Sequence, residues 1–157
     1  FEYIKNRLLS FFDKETGTHN FQSDKALDSI MSGGFFGKGI GEGTLKNRVP
    51  EAHTDYIISV ISEEFGVIVI ILILILFLTF IFSIFKKVNV EKDHKTKLIL
   101  VGSASLILFQ AMIHIGVNIR LFPTTGMTLP FLSYGGSSII SISILSGIIL
   151  NLTKRKI

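Results

Sequence analysis

Pro50-Glu51-Ala52-His53-Thr54-Asp55 runs straight into an apolar stretch that begins near Tyr56. Ionisable residues are costly to hold where a membrane helix meets water, so such a cluster marks a site before it marks scaffold. Asp55 is the candidate for proton transfer. The same residues also suit a structural use, because Thr54 or Asp55 can cap a helix by accepting from the free N–H groups of its first turn. A second carboxylate pair, Glu63-Glu64, follows on the same stretch. Adjacent helical residues point about 100° apart, so at most one of the two shares a cavity with Asp55.

Upstream, Gly33, Gly34, Gly37, Gly39, Gly41 and Gly43 are interleaved with Phe35, Phe36, Lys38, Ile40 and Glu42. Dinucleotide and Walker-type glycine loops need a strand before, a helix after and, for the latter, a Ser or Thr behind Gly37-Lys38; neither pattern is met. These glycines either let backbone N–H groups approach an anion, with Lys38, Lys46 and Arg48 supplying charge, or form a flexible linker.

The elements that must position these residues are membrane helices. With 48% hydrophobic residues and a mean hydropathy of +0.55, the composition belongs to a bilayer and not to a soluble domain. The net charge of +4 then reads as topology, and nothing interleaves aromatic with basic residues as a nucleic-acid surface would. The absence of Cys excludes thiol catalysis and disulfides. Without an initiator Met, the chain reads as the C-terminal part of a longer protein.

Phe1, Ile4, Leu8, Leu9, Phe11 and Phe12 fall on one face of an amphipathic helix suited to the bilayer surface. A polar turn over Asp13–Asn20 and a short helix from a Ser23 cap to Met31 follow, with Gly33 as the stop signal. The spacing predicts a large loop over residues 1–54 and a membrane domain over 55–157, with spans at about 56–85, 98–119 and 135–152. Lys86, Lys87, Lys92, Lys95 and Lys97, with Lys154, Arg155 and Lys156 at the C-terminus, put the connector and tail in the cytoplasm and Asp55 on the outer face.

Ser103, Gln110, His114 and Asn118 share one face of the second span, which must meet protein or water. His114 is expected in an interhelical hydrogen bond before a proton relay. Pro123, Gly126 and Pro130 prevent a helix over Phe122–Pro130, and irregular backbone at that depth has to be covered, so a cavity wall is expected. Ser137/Ser141 and Ser143/Gly147, four apart in the last span, predict close helix packing.

The stretches Gln22-Ser23, Ser32-Gly33-Gly34, Gly37-Lys38-Gly39-Ile40-Gly41, Pro50 to Asp55, Glu63-Glu64-Phe65-Gly66 and Pro123 to Ser138 resemble, in order, the SEDS family of bacterial cell-wall proteins. The resemblance spans nearly the whole chain. Ile115-Gly116-Val117-Asn118 and Thr124 to Pro130 are more similar to the FtsW division branch than to the RodA elongation branch. Asp13-Lys14 departs from the aspartate-proline pair that family members often carry there.

The resemblance implies an all-α membrane protein, this chain being the large outer loop and the last three helices of a ten-helix bundle. It implies a peptidoglycan glycosyltransferase that polymerises lipid II, with Asp55 at the catalytic position as general base. Lys38, Lys46, Arg48, Glu51, His53, Thr54, Glu64, Ser133 and Tyr134 are the candidates for substrate binding. A class B penicillin-binding transpeptidase and other divisome membrane proteins are the implied partners, in the inner membrane. No cofactor or metal is assigned and no nucleic acid is expected. A transporter of the lipid-linked precursor and a non-catalytic scaffold are the alternatives.

Overall fold

The computed structural model describes residues 18–49 and 51–154, with side chains from Phe21 onward. The amphipathic stretch Phe1–Phe12, most of the turn at Asp13–Asn20, Pro50, Arg155 and Lys156 lie outside the described residues. Among the described residues the regular structure is all helical: α1 (Thr18–Gly33), α2 (Leu45–Arg48), α3 (Ile57–Phe65), α4 (Val67–Val90), α5 (His94–Asn118) and α6 (Gly136–Thr153). α1 begins five residues before the expected Ser23 cap and places Ser23 inside the helix, buried.

The helix expected to run unbroken from Asp55 to Phe85 is two helices, α3 and α4, divided at Gly66. Gly66 has φ +82° and ψ 174°, which ends the α3 ladder. The cause is a backbone-on-backbone contact, since a Cβ on Gly66 would lie 2.2 Å from the Phe35 carbonyl oxygen. The Gly33–Gly37 turn lies against the break and completes it, its Gly34 carbonyl accepting from the Val67 N–H at 3.0 Å.

α4, α5 and α6 are each long and apolar enough to cross a membrane. At about 1.5 Å per residue they span roughly 27–37 Å, against a hydrocarbon core of about 30 Å. α4 continues through Lys86 and Lys87 to Val90, so the charged connector shrinks to Glu91-Lys92-Asp93. Asp93 caps α5, accepting from the Thr96 N–H at 3.1 Å and the Thr96 hydroxyl at 2.7 Å. Such a short link makes α4 and α5 antiparallel neighbours. One end of the bundle therefore carries Gly66, Asn118 and residues 119–135, and the other carries the lysines.

Two cores matter for the site. Ile81, Ile84, Leu100, Ala104, Ile107, Ile142 and Ile149 join the three long helices. Ala26, Leu45, Val49, Ala52, Tyr56, Val60 and Val117 join α1, α2 and α3 to the end of α5, with Tyr56 wholly buried. The small-residue faces of α6 are not used in packing among the three long helices. Ser137, Ser141, Ser143 and Gly147 are exposed, and the helix packs instead through Ile142 and Ile149.

Candidate active site

Asp55 lies two residues ahead of α3 and is buried, with 8% of its surface exposed. Its segment is held from outside by three donors on three consecutive carbonyls. The Tyr134 N–H donates to His53 O at 3.1 Å. Ser133 Oγ donates to Thr54 O at 2.8 Å. Asn118 Nδ2 donates to Asp55 O at 2.8 Å. Within the segment, Glu51 O accepts from the N–H groups of Thr54 and Asp55 at 3.1 and 3.0 Å. Backbone groups buried without partners would be costly, so these bonds dictate one path for the chain through Asp55.

Thr54 is not the helix cap, because its hydroxyl donates to the Glu51 carbonyl at 3.1 Å. Tyr56 occupies the cap position, but its side chain makes no capping bond to the helix and its hydroxyl lies 3.4 Å from Ser23 Oγ. The first-turn Ser59 N–H goes instead to Asn118 Oδ1 at 3.1 Å, so α3 is capped from α5. Beside Asp55, His53, Ile57, Leu132 and Tyr134 line an opening of about 430 Å³. Leu132 is shared with an apolar groove of about 320 Å³ that runs along α4 past Ile73, Phe77, Phe80 and Phe131.

The loop ahead of α3 is fastened through the carboxylate pair. Glu63, 1% exposed, accepts from Lys38 Nζ at 2.9 Å, the Leu45 N–H at 3.0 Å and the Thr44 hydroxyl at 3.2 Å. Burial acts to raise the Glu63 carboxyl, but the bonds from Lys38, Leu45 and Thr44 outweigh it and bring its pKa down to about 2. Glu64 takes Lys46 Nζ at 2.9 Å. The glycines serve the same fastening, because a Cβ on Gly33 or Gly37 would fall 2.0 or 2.2 Å from the carbonyl oxygen of Ser62 or Glu64. Both the anion cradle and the free linker give way to a backbone contact, in which the N–H groups of Lys38 and Gly39 donate to Glu63 O and Glu64 O.

These features sit on a chain whose residues 2–157 match the family model described as cell cycle protein, FtsW/RodA/SpoVE. The chain belongs to the FtsW/RodA/SpoVE family. It is 38% identical over 160 residues to the probable peptidoglycan glycosyltransferase FtsW of Enterococcus hirae, covering 100% of this chain and 40% of that protein. To the protein of the same description from Trichlorobacter lovleyi it is 42% identical, covering 96% and 40%. A solved structure described as "Structural coordination of polymerization and crosslinking by a peptidoglycan synthase complex" superposes with a TM-score of 0.72 at 28% identity, over 96% of this chain and 41% of that one. The chain thus spans about two-fifths of the length of the FtsW relatives it matches.

Against that family background the expected site residues divide. Glu51, His53 and Thr54 stand beside Asp55 in sequence and space, Glu51 and His53 exposed. Ser133 and Tyr134, 79 and 81 residues further on, reach the segment by hydroxyl and by backbone N–H. Tyr134 turns its ring outward, 77% exposed. Lys38, Lys46 and Glu64 belong to the ion pairs that fasten the loop. Arg48 is exposed and has no ion pair with a described residue. Among the described residues no group of three or more His, Asp or Glu could hold a metal ion.

The polar stripe on α5 faces protein, as a lipid-crossing helix requires. Gln110 Nε2 donates to the Thr128 carbonyl at 2.8 Å, and His114 Nδ1 donates to that of Met127 at 2.9 Å. Thr124, Leu129 and Pro130 are buried and Pro130 lines the apolar groove, whereas Phe122, Thr125, Gly126 and Met127 are exposed, so the irregular segment is covered only in part. By its spacing in the sequence Asn118 groups with the stripe and not with the site. The signal that could have found it is its place at the helix end, where a polar side chain meets the free backbone of whatever packs there.

Proposed function

We propose that this chain forms the site-bearing part of a membrane peptidoglycan glycosyltransferase that polymerises lipid II during cell division. The observation that carries the reading is the buried Asp55, its backbone held by three outside donors at one end of three membrane-spanning helices. A carboxylate so placed takes the proton of an acceptor sugar hydroxyl as its oxygen attacks the anomeric carbon of the donor. The carbon–oxygen bond to the lipid diphosphate breaks in the same displacement, with inversion. Arg48 is the cation available to the departing diphosphate, since Lys38 and Lys46 are engaged by Glu63 and Glu64.

The lysine-bearing end of the bundle faces the cytoplasm in this reading and Asp55 the outside. A class B penicillin-binding transpeptidase is the partner, supported by the likeness to a complex whose description joins polymerization to crosslinking. The names of the FtsW relatives favour division over elongation. No cofactor is assigned, and chelator titration decides divalent-cation dependence.

The test is a pair of assays on the full-length protein in proteoliposomes. Glycan chain growth from lipid II is the expected result; translocation of lipid II without growth would make the protein a transporter. Cysteines at Lys92 and Thr18 should react oppositely with an impermeant thiol reagent in intact spheroplasts, and outside labelling at Lys92 would put Asp55 on the wrong side for wall synthesis.

A further inference from the structure

Asn118 is 0% exposed and uses all four hydrogen-bonding positions of its amide. Oδ1 accepts from the Ser59 N–H at 3.1 Å and from Ser59 Oγ at 2.7 Å. Nδ2 donates to the carbonyls of Asp55 at 2.8 Å and His114 at 2.9 Å. The amide orientation is not ambiguous: a backbone N–H can only donate, so the oxygen must face Ser59 and the nitrogen must face the two carbonyls. Ser133 and Tyr134 act on Thr54 and His53, which leaves the carbonyl of Asp55 itself to Asn118.

We propose that Asn118 is a positioning residue for Asp55. It ties the first turn of α3 and the peptide of Asp55 to the last residue of α5, and so sets where the Asp55 carboxyl stands relative to the membrane helices. The inference rests on the glycosyltransferase reading of Asp55. A general base works within about 2.6–3.2 Å of the atom that carries the proton it takes, and a misplacement of about 1 Å costs on the order of 10²-fold in rate. Nothing about Asn118 requires it to touch substrate.

The experiment uses full-length protein and reads kcat and KM for lipid II per monodisperse, folded molecule. Asn118→Asp keeps the size and the acceptor atoms for Ser59 but offers no donor to either carbonyl. It should lower kcat about 10–100-fold with KM within about two-fold. Ser59→Ala removes one bond on the acceptor side and leaves both donors, so kcat should stay within about three-fold. Asn118→Gln keeps both amide donors and should hold kcat above the similarly shaped but donor-free Asn118→Leu at equal KM, a comparison that decides the matter even where the Asp variant does not insert.

Equal kcat for Asn118→Gln and Asn118→Leu, or losses that only track the amount of folded protein, would make Asn118 a stability residue and overturn the proposal. An inactive Asp55→Asn beside a flat Asn118 series removes this inference alone. A fully active Asp55→Asn removes the base and this inference with it.

Discussion

Between Thr18 and Phe65 the chain is held by directional bonds, whereas the three long helices are held by apolar side chains that leave much of their surface uncovered. In the first region Lys38, Leu45 and Thr44 converge on Glu63, and glycine backbones touch the carbonyls of Phe35, Ser62 and Glu64. In the second, Ile71, Leu72, Leu78, Phe82, Ile140, Ile144 and Leu150 are at least 50% exposed. Hydrogen bonds and backbone contacts specify geometry by direction, while apolar contacts specify it by shape and volume and tolerate more repacking. In the proposed function, chemistry at Asp55 needs the first kind of order, while the open faces of the second region are those that lipid or further helices would cover.

The widest separation of the two regions should appear in activity. Asp55→Asn keeps size and acceptor capacity but takes no proton, so polymerisation should fall about 10²–10⁴-fold at unchanged protein level. Ser143→Ala on the exposed face of α6 should leave the rate unchanged. Near-normal glycan synthesis by Asp55→Asn would leave the enzyme without its base.

Next in size is a glycine comparison. Gly33→Ala and Gly37→Ala force a Cβ to within 2.0 or 2.2 Å of a carbonyl oxygen, whereas Gly102 and Gly147 have no atom within 4 Å of the added carbon. Overpacking costs about 1–3 kcal/mol, so both loop variants should melt clearly below wild type in detergent; Gly37, at φ +78°, suffers added strain. Gly147→Ala should change stability by no more than about 0.5 kcal/mol. Equal melting of Gly33→Ala and Gly147→Ala would show that the α1–α3 contact is loose.

A third contrast is set by pH. The folded Glu63 carboxyl lies at about 2 against an ordinary 4.5, so the unfolded state binds the proton first. Its stabilisation is complete above about 4.5 and is lost as pH falls from there toward 2. Melting temperature should drop over that window, and Glu63→Gln should flatten the drop while lowering stability at neutral pH. An acid transition unchanged in Glu63→Gln would assign it to other carboxylates.

The smallest effect is expected at Glu64→Gln, whose partner Lys46 also reaches the Gly41 carbonyl. Pairs near the surface contribute about 0–1 kcal/mol, so a melting shift larger than that of Glu63→Gln would reverse the ranking of the two carboxylates.

Much of this was legible beforehand where one residue's chemistry is decisive. Apolar run lengths located the three long helices, Pro123 and Pro130 excluded a helix between them, and the spacing of Gln110, His114 and Asn118 required one protein-facing side. What was not legible depended on contacts across the chain. Gly66 has no helix-breaking signal until the Phe35 carbonyl meets it, and Lys38 resembles a free cation until Glu63 is found beneath it. Small residues on α6 lie exposed among the described residues, because spacing describes what a helix face permits and not which neighbour uses it.

The bonds that hold Asp55 also fix when it becomes useful. Asn118 follows Asp55 by 63 residues, and Ser133 follows Thr54 by 79. At synthesis rates of about 5–20 residues per second, Asp55 is made roughly 3–16 seconds before these anchors. A nascent chain therefore carries the Asp55 segment without its outside donors until α5 and the turn before α6 have been made, and in the proposed function sugar transfer waits for that assembly.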